Sequence, residues 1–325
     1  METIGTPALW IGFSVFVVAM LTLDLGVFHR NAHVVKLREA AIWSCVWIGF
    51  ALAFNVGLYF WFGPVRALEF LTGYVLEKAL SVDNIFVMLV LFSSFKVPAL
   101  YLHRVLFWGI LGALVMRAIF IFVGAALLSR FHWIMYIFGA LLIVTGIRLL
   151  FQKEEGGDPQ ESRLVAFARR VMPLTPDYRG PHFTVVEGGR RYGTPLLLVL
   201  LAVEATDLIF AVDSIPAIFA VTMDPFIVYT SNIFAILGLR SLFFLLAGVM
   251  DKFHYLKVGL AFVLTFVGAK MLLVDVYKIP IGVSLGVIAG MLALAIGASL
   301  LRPRSPVHAP GPTAPSPPLP KEEGG

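Results

Sequence analysis

The chain has 325 residues, of which 59% are hydrophobic and 14% charged, and its mean hydropathy is +0.89. These values exclude an ordinary soluble globular protein and imply a polytopic membrane protein. The net charge of +5 requires no nucleic-acid partner, because basic cytoplasmic loops on a membrane protein produce such a value unaided.

Windows of roughly 20 apolar residues, the length that crosses a hydrocarbon core about 30 Å thick, fall at 8–28, 40–62, 67–92, 105–127, 132–151, 194–221, 226–249, 256–274 and 281–301. They predict an all-α polytopic fold with about nine transmembrane helices. The first is expected to remain as a helix, since no Lys or Arg precedes it and no small-residue cleavage site follows a short apolar core. Arg30, Lys36, Arg38, Lys96, Arg104, Lys252 and Lys257 fall in alternate connections, together with the basic segment after the fifth window. The intervening loops hold only Arg66, Arg130 and Lys278, which predicts an external N-terminus and a cytoplasmic C-terminus. The single Cys45 excludes an intramolecular disulfide and a multi-thiolate metal site, and in an apolar helix it reads as inert packing.

The third window carries EKALSVDNIF (Glu77–Phe86) and the sixth carries DLIFAVDSIPA (Asp207–Ala217). Glu77 and Asp83 have the same spacing as Asp207 and Asp213, and SVDNI matches AVDSI. The likeness continues downstream: Arg117–Ile134 (RAIFIFVGAALLSRFHWI) resembles Arg240–Leu256 (RSLFFLLAGVMDKFHYL), and GIRLL from Gly146 resembles GAKMLL from Gly268. Windows three to five and six to eight thus read as two copies of one three-helix unit. An odd number of helices per unit makes the repeat inverted, an arrangement that in transporters places a substrate site near the midplane. Duplication alone, without transport, is the competing reading.

The expected organisation is two N-terminal helices in residues 1–66, a first repeat in 67–151, a cytoplasmic linker in 152–193, a second repeat in 194–274, a last helix in 275–301 and a disordered Pro-rich tail in 302–325. Within the linker, ESRLVAFARRVM (Glu161–Met172) predicts a basic amphipathic helix at the inner leaflet. FTVVEGGRRYGTP (Phe183–Pro195) predicts a hairpin turning at Gly188 and Gly189.

A charge at the centre of a membrane helix costs roughly 2.5–3.5 kcal/mol, so Glu77, Asp83, Glu204, Asp207, Asp213, Arg117 and Arg240 together demand partners and a wetted cavity. Arg117 and Arg240 are possible charge partners for two of the acids, which leaves about three over. Protons or a cation would relieve that excess. Carboxylates, the Asn84 amide oxygen and the Ser81 and Ser214 hydroxyls form a hard oxygen set suited to Mg²⁺, Ca²⁺ or Mn²⁺, and neither motif contains His or Cys. On a straight helix Glu77, Ser81 and Asn84 share one face, as do Glu204, Asp207, Ala211 and Ser214, whereas Asp83 and Asp213 point elsewhere. A break at Pro216 would turn the acids toward one site; a kink is the alternative. Asn55 and Asn232 read chiefly as interhelical hydrogen-bonding groups. Asp24 reads as solvated near the end of the first span, and His132 and His254 as interfacial anchors or relics of the repeat.

The acidic motifs, their spacing and EGGRRYGTPLLLVLL (Glu187–Leu201) resemble the TerC/Alx family of bacterial integral membrane proteins, grouped with LysE-like exporters. The resemblance covers residues 1 to about 301 and rests on EKALSVDNIFV (Glu77–Val87) and VEATDLIFAVDSIPAI (Val203–Ile218). It implies a protein of the bacterial inner membrane, manganese export and an association with tellurium resistance. At matching positions it implies a metal path through Glu77, Asp83, Asn84, Glu204, Asp207, Asp213 and Ser214. The expected substrates are Mn²⁺ and protons, with no resident cofactor and no enzymatic activity. A membrane-protein assembly factor is the alternative that the resemblance also allows.

Overall fold

The computed structural model describes residues 3–28, 37–131, 133–151, 173–247 and 255–301, with the side chains of 23–28 and of Asp83 left outside that description. The expected amphipathic helix at 161–172, the tail from 302, His132, His254 and the side chain of Asp24 also lie outside the described residues.

Ten helices and one hairpin are described: α1 (Pro7–Phe28), α2 (Leu37–Phe62), α3 (Pro64–Ser94), α4 (Ala99–Arg130), α5 (Ile134–Phe151), β1 (Thr184–Glu187), β2 (Arg190–Gly193), α6 (Pro195–Phe219), α7 (Pro225–Leu237), α8 (Leu239–Ala247), α9 (Leu256–Leu272) and α10 (Ile281–Leu301). Among the described residues α2, α4, α5, α6 and α10 are long and apolar enough to cross a membrane, and the bent pair α7–α8 makes a sixth candidate. The 31-residue α3 is longer than most of them, but carries Arg66, Glu69, Glu77, Lys78 and Asp83. Large apolar side chains cover the outside, among them Phe60, Trp61, Val144 and Leu294, while polar groups lie buried within. That inversion of the soluble pattern suits a lipid solvent.

Local chemistry sets the boundaries. Gly63, at φ +86°, turns the chain between α2 and α3, a conformation that costs glycine little, and Pro64 then supplies the fixed φ of a first helical residue. Thr194–Pro195 and Asp224–Pro225 repeat the cap-plus-proline start at α6 and α7. Asp224 accepts from Phe226 N at 2.9 Å. It also ties down the N-terminal segment, accepting from Thr3 Oγ1 at 2.7 Å and Ile4 N at 2.9 Å. The strands β1 and β2 pair antiparallel across Gly188 and Gly189, whose φ angles of +57° and +79° are those of a tight hairpin turn. Below the hairpin, Tyr178 donates to the Phe95 carbonyl at the end of α3 at 2.7 Å; burial pushes its hydroxyl pKa up and keeps it a donor.

The interior is built from helices packed on one another. α3 lies against α7 and α6, α4 lies against α6 and α7, and α5 lies along α9. The last pair approaches through glycines. A Cβ on Gly139 would meet the Gly268 carbonyl at 2.9 Å, one on Gly268 the Gly139 carbonyl at 2.6 Å, and one on Gly146 the Ala261 carbonyl at 2.7 Å. Such backbone contact stabilises helix pairs where lipid supplies no hydrophobic drive.

Two expectations need correction. α6 runs through Pro216 to Phe219, so no break occurs there; the proline removes one hydrogen bond only a turn from the helix end, where little remains to be disrupted. The bend lies in the next span instead, at 43° between α7 and α8 around Gly238. Cys45 is exposed on α2 rather than packed inside, because an all-apolar helix does not reveal which face meets lipid.

Candidate functional site

Helices α3 and α6 each present one polar stripe to the interior. Spacings of three and four residues place Glu77, Ser81 and Asn84 on one face of α3, and all three are buried. Asp207, Ala211 and Ser214 are buried on the equivalent stripe of α6. Arg117 reaches this stripe from α4, and Asn232 from α7.

The groups form one network. Arg117 Nη1 donates to Glu77 Oε1 and, at 3.3 Å, to Asn232 Oδ1. Asn232 Nδ2 donates to Glu77 Oε2 at 3.0 Å, so both Glu77 oxygens are engaged. Arg117 Nη2 lies 3.7 Å from Asp207 Oδ1, which also accepts from Asn84 Nδ2 at 3.3 Å. The guanidinium therefore joins acids from two helices and is itself 1% exposed. A buried pair of this kind stands only while its partners remain in place.

Three oxygens on the same stripes have no hydrogen-bond partner among the described residues: Asp207 Oδ2, Asn84 Oδ1 and Ser214 Oγ. Asp207 and Asn84 are directly hydrogen-bonded neighbours, and Ser214 lies two turns along the same face of α6. Leaving such acceptors dry and unpaired costs about 1–3 kcal/mol each, which makes them available to a cation or water. The donor chemistry is that of a hard-cation site. Among the described residues, however, no three acid, imidazole or thiol side chains converge on one point.

The remaining acids occupy separate places. Glu204, half-buried, sets its carboxylate against Gly112 of α4, in the space that a side chain there would take. Asp213 faces α5, where Thr145 Oγ1 donates to it at 2.9 Å. A continuous α6 thus separates Asp213 from Asp207, as a straight helix requires. Arg240 is buried at the start of α8, and Asp83 belongs to α3 without a described side chain. Asn232 makes the interhelical hydrogen bonds expected of it, donating to Glu77 on α3 and accepting from Arg117 on α4. No local signal in the sequence distinguishes it from Asn55.

The family model "Integral membrane protein TerC family" matches residues 62–306, which include every element of this network. The chain belongs to the TerC family of integral membrane proteins. It is 59% identical over 320 residues to a membrane protein of Myxococcus xanthus, STKORF319, covering 98% of this chain and 99% of that one. It is also 51% identical over 303 residues to Alx of Escherichia coli K12, named as a candidate membrane-bound redox modulator, covering 90% and 94% of the two chains. A membrane protein of Rickettsia felis is 43% identical over 293 residues, covering 90% and 97%. No solved structure matches.

Proposed function

We propose that this TerC-family protein exports Mn²⁺ from the bacterial cytoplasm through the buried α3–α6 oxygen set, by alternating access coupled to inward proton movement. The observation that carries the reading is the trio of unpartnered buried oxygens on Asp207, Asn84 and Ser214, beside carboxylates bridged by Arg117. In this arrangement the guanidinium stands where a cation would otherwise neutralise Glu77 and Asp207. Metal binding would replace Arg117 as the counter-charge, and departure of the metal would restore it.

Nine spans and an inverted repeat form part of the proposal. In the register that aligns Glu77 with Asp207 and Arg117 with Arg240, the packing of α3 on α7 corresponds to that of α4 on α6, and both occur. Along α5 and α9, Gly139 corresponds to Ala261 and Gly146 to Gly268. The contacts Gly139–Gly268 and Gly146–Ala261 are the reciprocal pair that a two-fold relation demands.

Moving a dication outward against an inside-negative membrane costs about 4.6 kcal/mol per 100 mV, twice the single-charge value. A passive path would favour uptake, so export needs either a steep outward metal gradient or a driving ion. Glu204 and Asp213, set apart from the Arg117 network, are the carboxylates best placed to carry protons on separate helical faces. The redox role in the name of the Alx relatives is a competing proposal, for which exposed Cys45 offers a thiol able to pair between two chains.

The test is reconstitution of the full chain in liposomes with Mn²⁺- and pH-sensitive dyes. Wild-type protein and Cys45→Ser should move Mn²⁺ with opposing proton flux, and Asp207→Asn should abolish both while inserting normally. Absence of flux in wild type, together with crosslinks to nascent membrane proteins, would establish the assembly role instead.

A further inference from the structure

Lys78 follows Glu77 on α3 but belongs to a different environment. Its Nζ donates to the Ala235 carbonyl on α7 at 3.0 Å and stands 6.0 Å over the ring of Tyr74. A Cβ on Gly238, at the bend, would lie 3.0 Å from Nζ and 3.0 Å from Trp47 Cβ. Among the described residues no carboxylate lies within ion-pair distance of the ammonium; the neighbouring Glu77 is committed to Arg117 and Asn232. The charge therefore rests on backbone oxygen at the C-terminal end of α7, the negative end of that helix.

The bend and the lysine occur together, in one half of the proposed repeat. In the register that aligns Glu77 with Asp207 and Arg117 with Arg240, Lys78 corresponds to Leu208 and Gly238 to Val115. At those counterpart positions α4 runs unbroken from Ala99 to Arg130, and Leu208 is exposed. The same register aligns Tyr74 with Glu204 and Ala235 with Gly112. Glu204 fills the cleft at Gly112, and Lys78, one turn on from Tyr74, donates to the carbonyl of Ala235. One cleft holds an acid and its counterpart holds a base.

We infer that the bend between α7 and α8 is a monovalent-cation site whose resident occupant is the tethered ammonium of Lys78. Half-helix ends and their carbonyls bind alkali cations in other interrupted membrane helices, by the same dipole and oxygen chemistry. Here the chain supplies the cation itself. A neutral side chain at 78 would vacate the place and leave room for a free ion of the same charge. The inference concerns the stability of the bend and does not depend on Mn²⁺ transport.

The test is thermal melting of the purified full chain in detergent, without Mn²⁺, in NaCl and in choline chloride at equal ionic strength. Wild type and Lys78→Arg should melt identically in the two salts. Lys78→Gln should melt lower in choline and recover by about 3–6 °C, saturably, with Na⁺. Lys78→Met, which also removes the ammonium and keeps a long unbranched side chain, should show the same response, which keeps the question open to experiment if Lys78→Gln cannot be purified. Indifference of both variants to Na⁺, or an equal response to choline, overturns the inference. Because Mn²⁺ is absent, the outcome is independent of the transport experiment.

Discussion

The carboxylate of Glu204 occupies the space that a side chain at Gly112 would need. Glycine at 112 is thus a requirement of the neighbouring helix rather than of its own backbone, for α4 is regular there. A methyl would push the acid away from α4. Crowding of this kind costs about 1–3 kcal/mol, and less where a flexible side chain can swing aside. Gly112→Ala should therefore leave the protein folded and slow metal-coupled proton flux, with partial recovery in the Gly112→Ala, Glu204→Asp double variant, whose acid is one methylene shorter. Liposome flux for the four proteins of the cycle measures the coupling; additive effects would show that the contact has no functional part.

Glu77, Asn84, Asp207 and Ser214 are legible in sequence because charged or amide groups in membrane helices are costly and because three- and four-residue spacings define a face without coordinates. Arg117 stood out for the same reason. Asn232 is legible as an interhelical hydrogen-bonding group but its partner is not, since only the arrangement of α7 beside α3 brings it to Glu77. The position of the bend is not legible in sequence, for a physical reason. Pro216 lies a turn from the end of α6 and perturbs little, whereas the bend at Gly238 needs room for Lys78 and Trp47, a tertiary condition with no local marker. Exposure of Cys45 was likewise hidden, because lipid-facing and buried positions are equally apolar.

Close approach of α5 and α9 yields a second prediction. At Gly268 an added Cβ would stand 2.6 Å from the Gly139 carbonyl and 3.0 Å from Ile143 N, and backbone atoms cannot step aside as a side-chain tip can. The helices would have to separate along their length. Gly268→Ala should lower the melting temperature in detergent and the amount of protein in the membrane, with a cost at or above the usual 1–3 kcal/mol for overpacking. Gly290→Ala in α10 is the matched control, since nothing lies within 4 Å of a Cβ at that position. Equal behaviour of the two variants would show that the α5–α9 contact is dispensable.

The Arg117–Glu77 contact allows the sharpest separation of structure from transport. Both side chains are fully enclosed, and removing Arg117 leaves Glu77 and Asp207 buried together without a cation; breaking a buried pair in this way costs about 3–5 kcal/mol. Arg117→Gln should destabilise by that order, and Glu77→Gln by less, because Arg117 keeps Asp207 at 3.7 Å. Combining the two removes one charge of each sign and leaves amides that can hydrogen-bond to each other and to Asn232, so the double variant should melt closer to wild type than Arg117→Gln alone. Under the proposed mechanism its transport should nevertheless remain absent, because no guanidinium is then present at position 117 to return as the counter-charge when metal leaves. Melting curves and Mn²⁺ flux on the same preparations distinguish the cases. A double variant that recovers both stability and flux would show that the pair only holds the helices together, and a double variant less stable than both singles would mean that Asp207 depends on Arg117 more than Glu77 does.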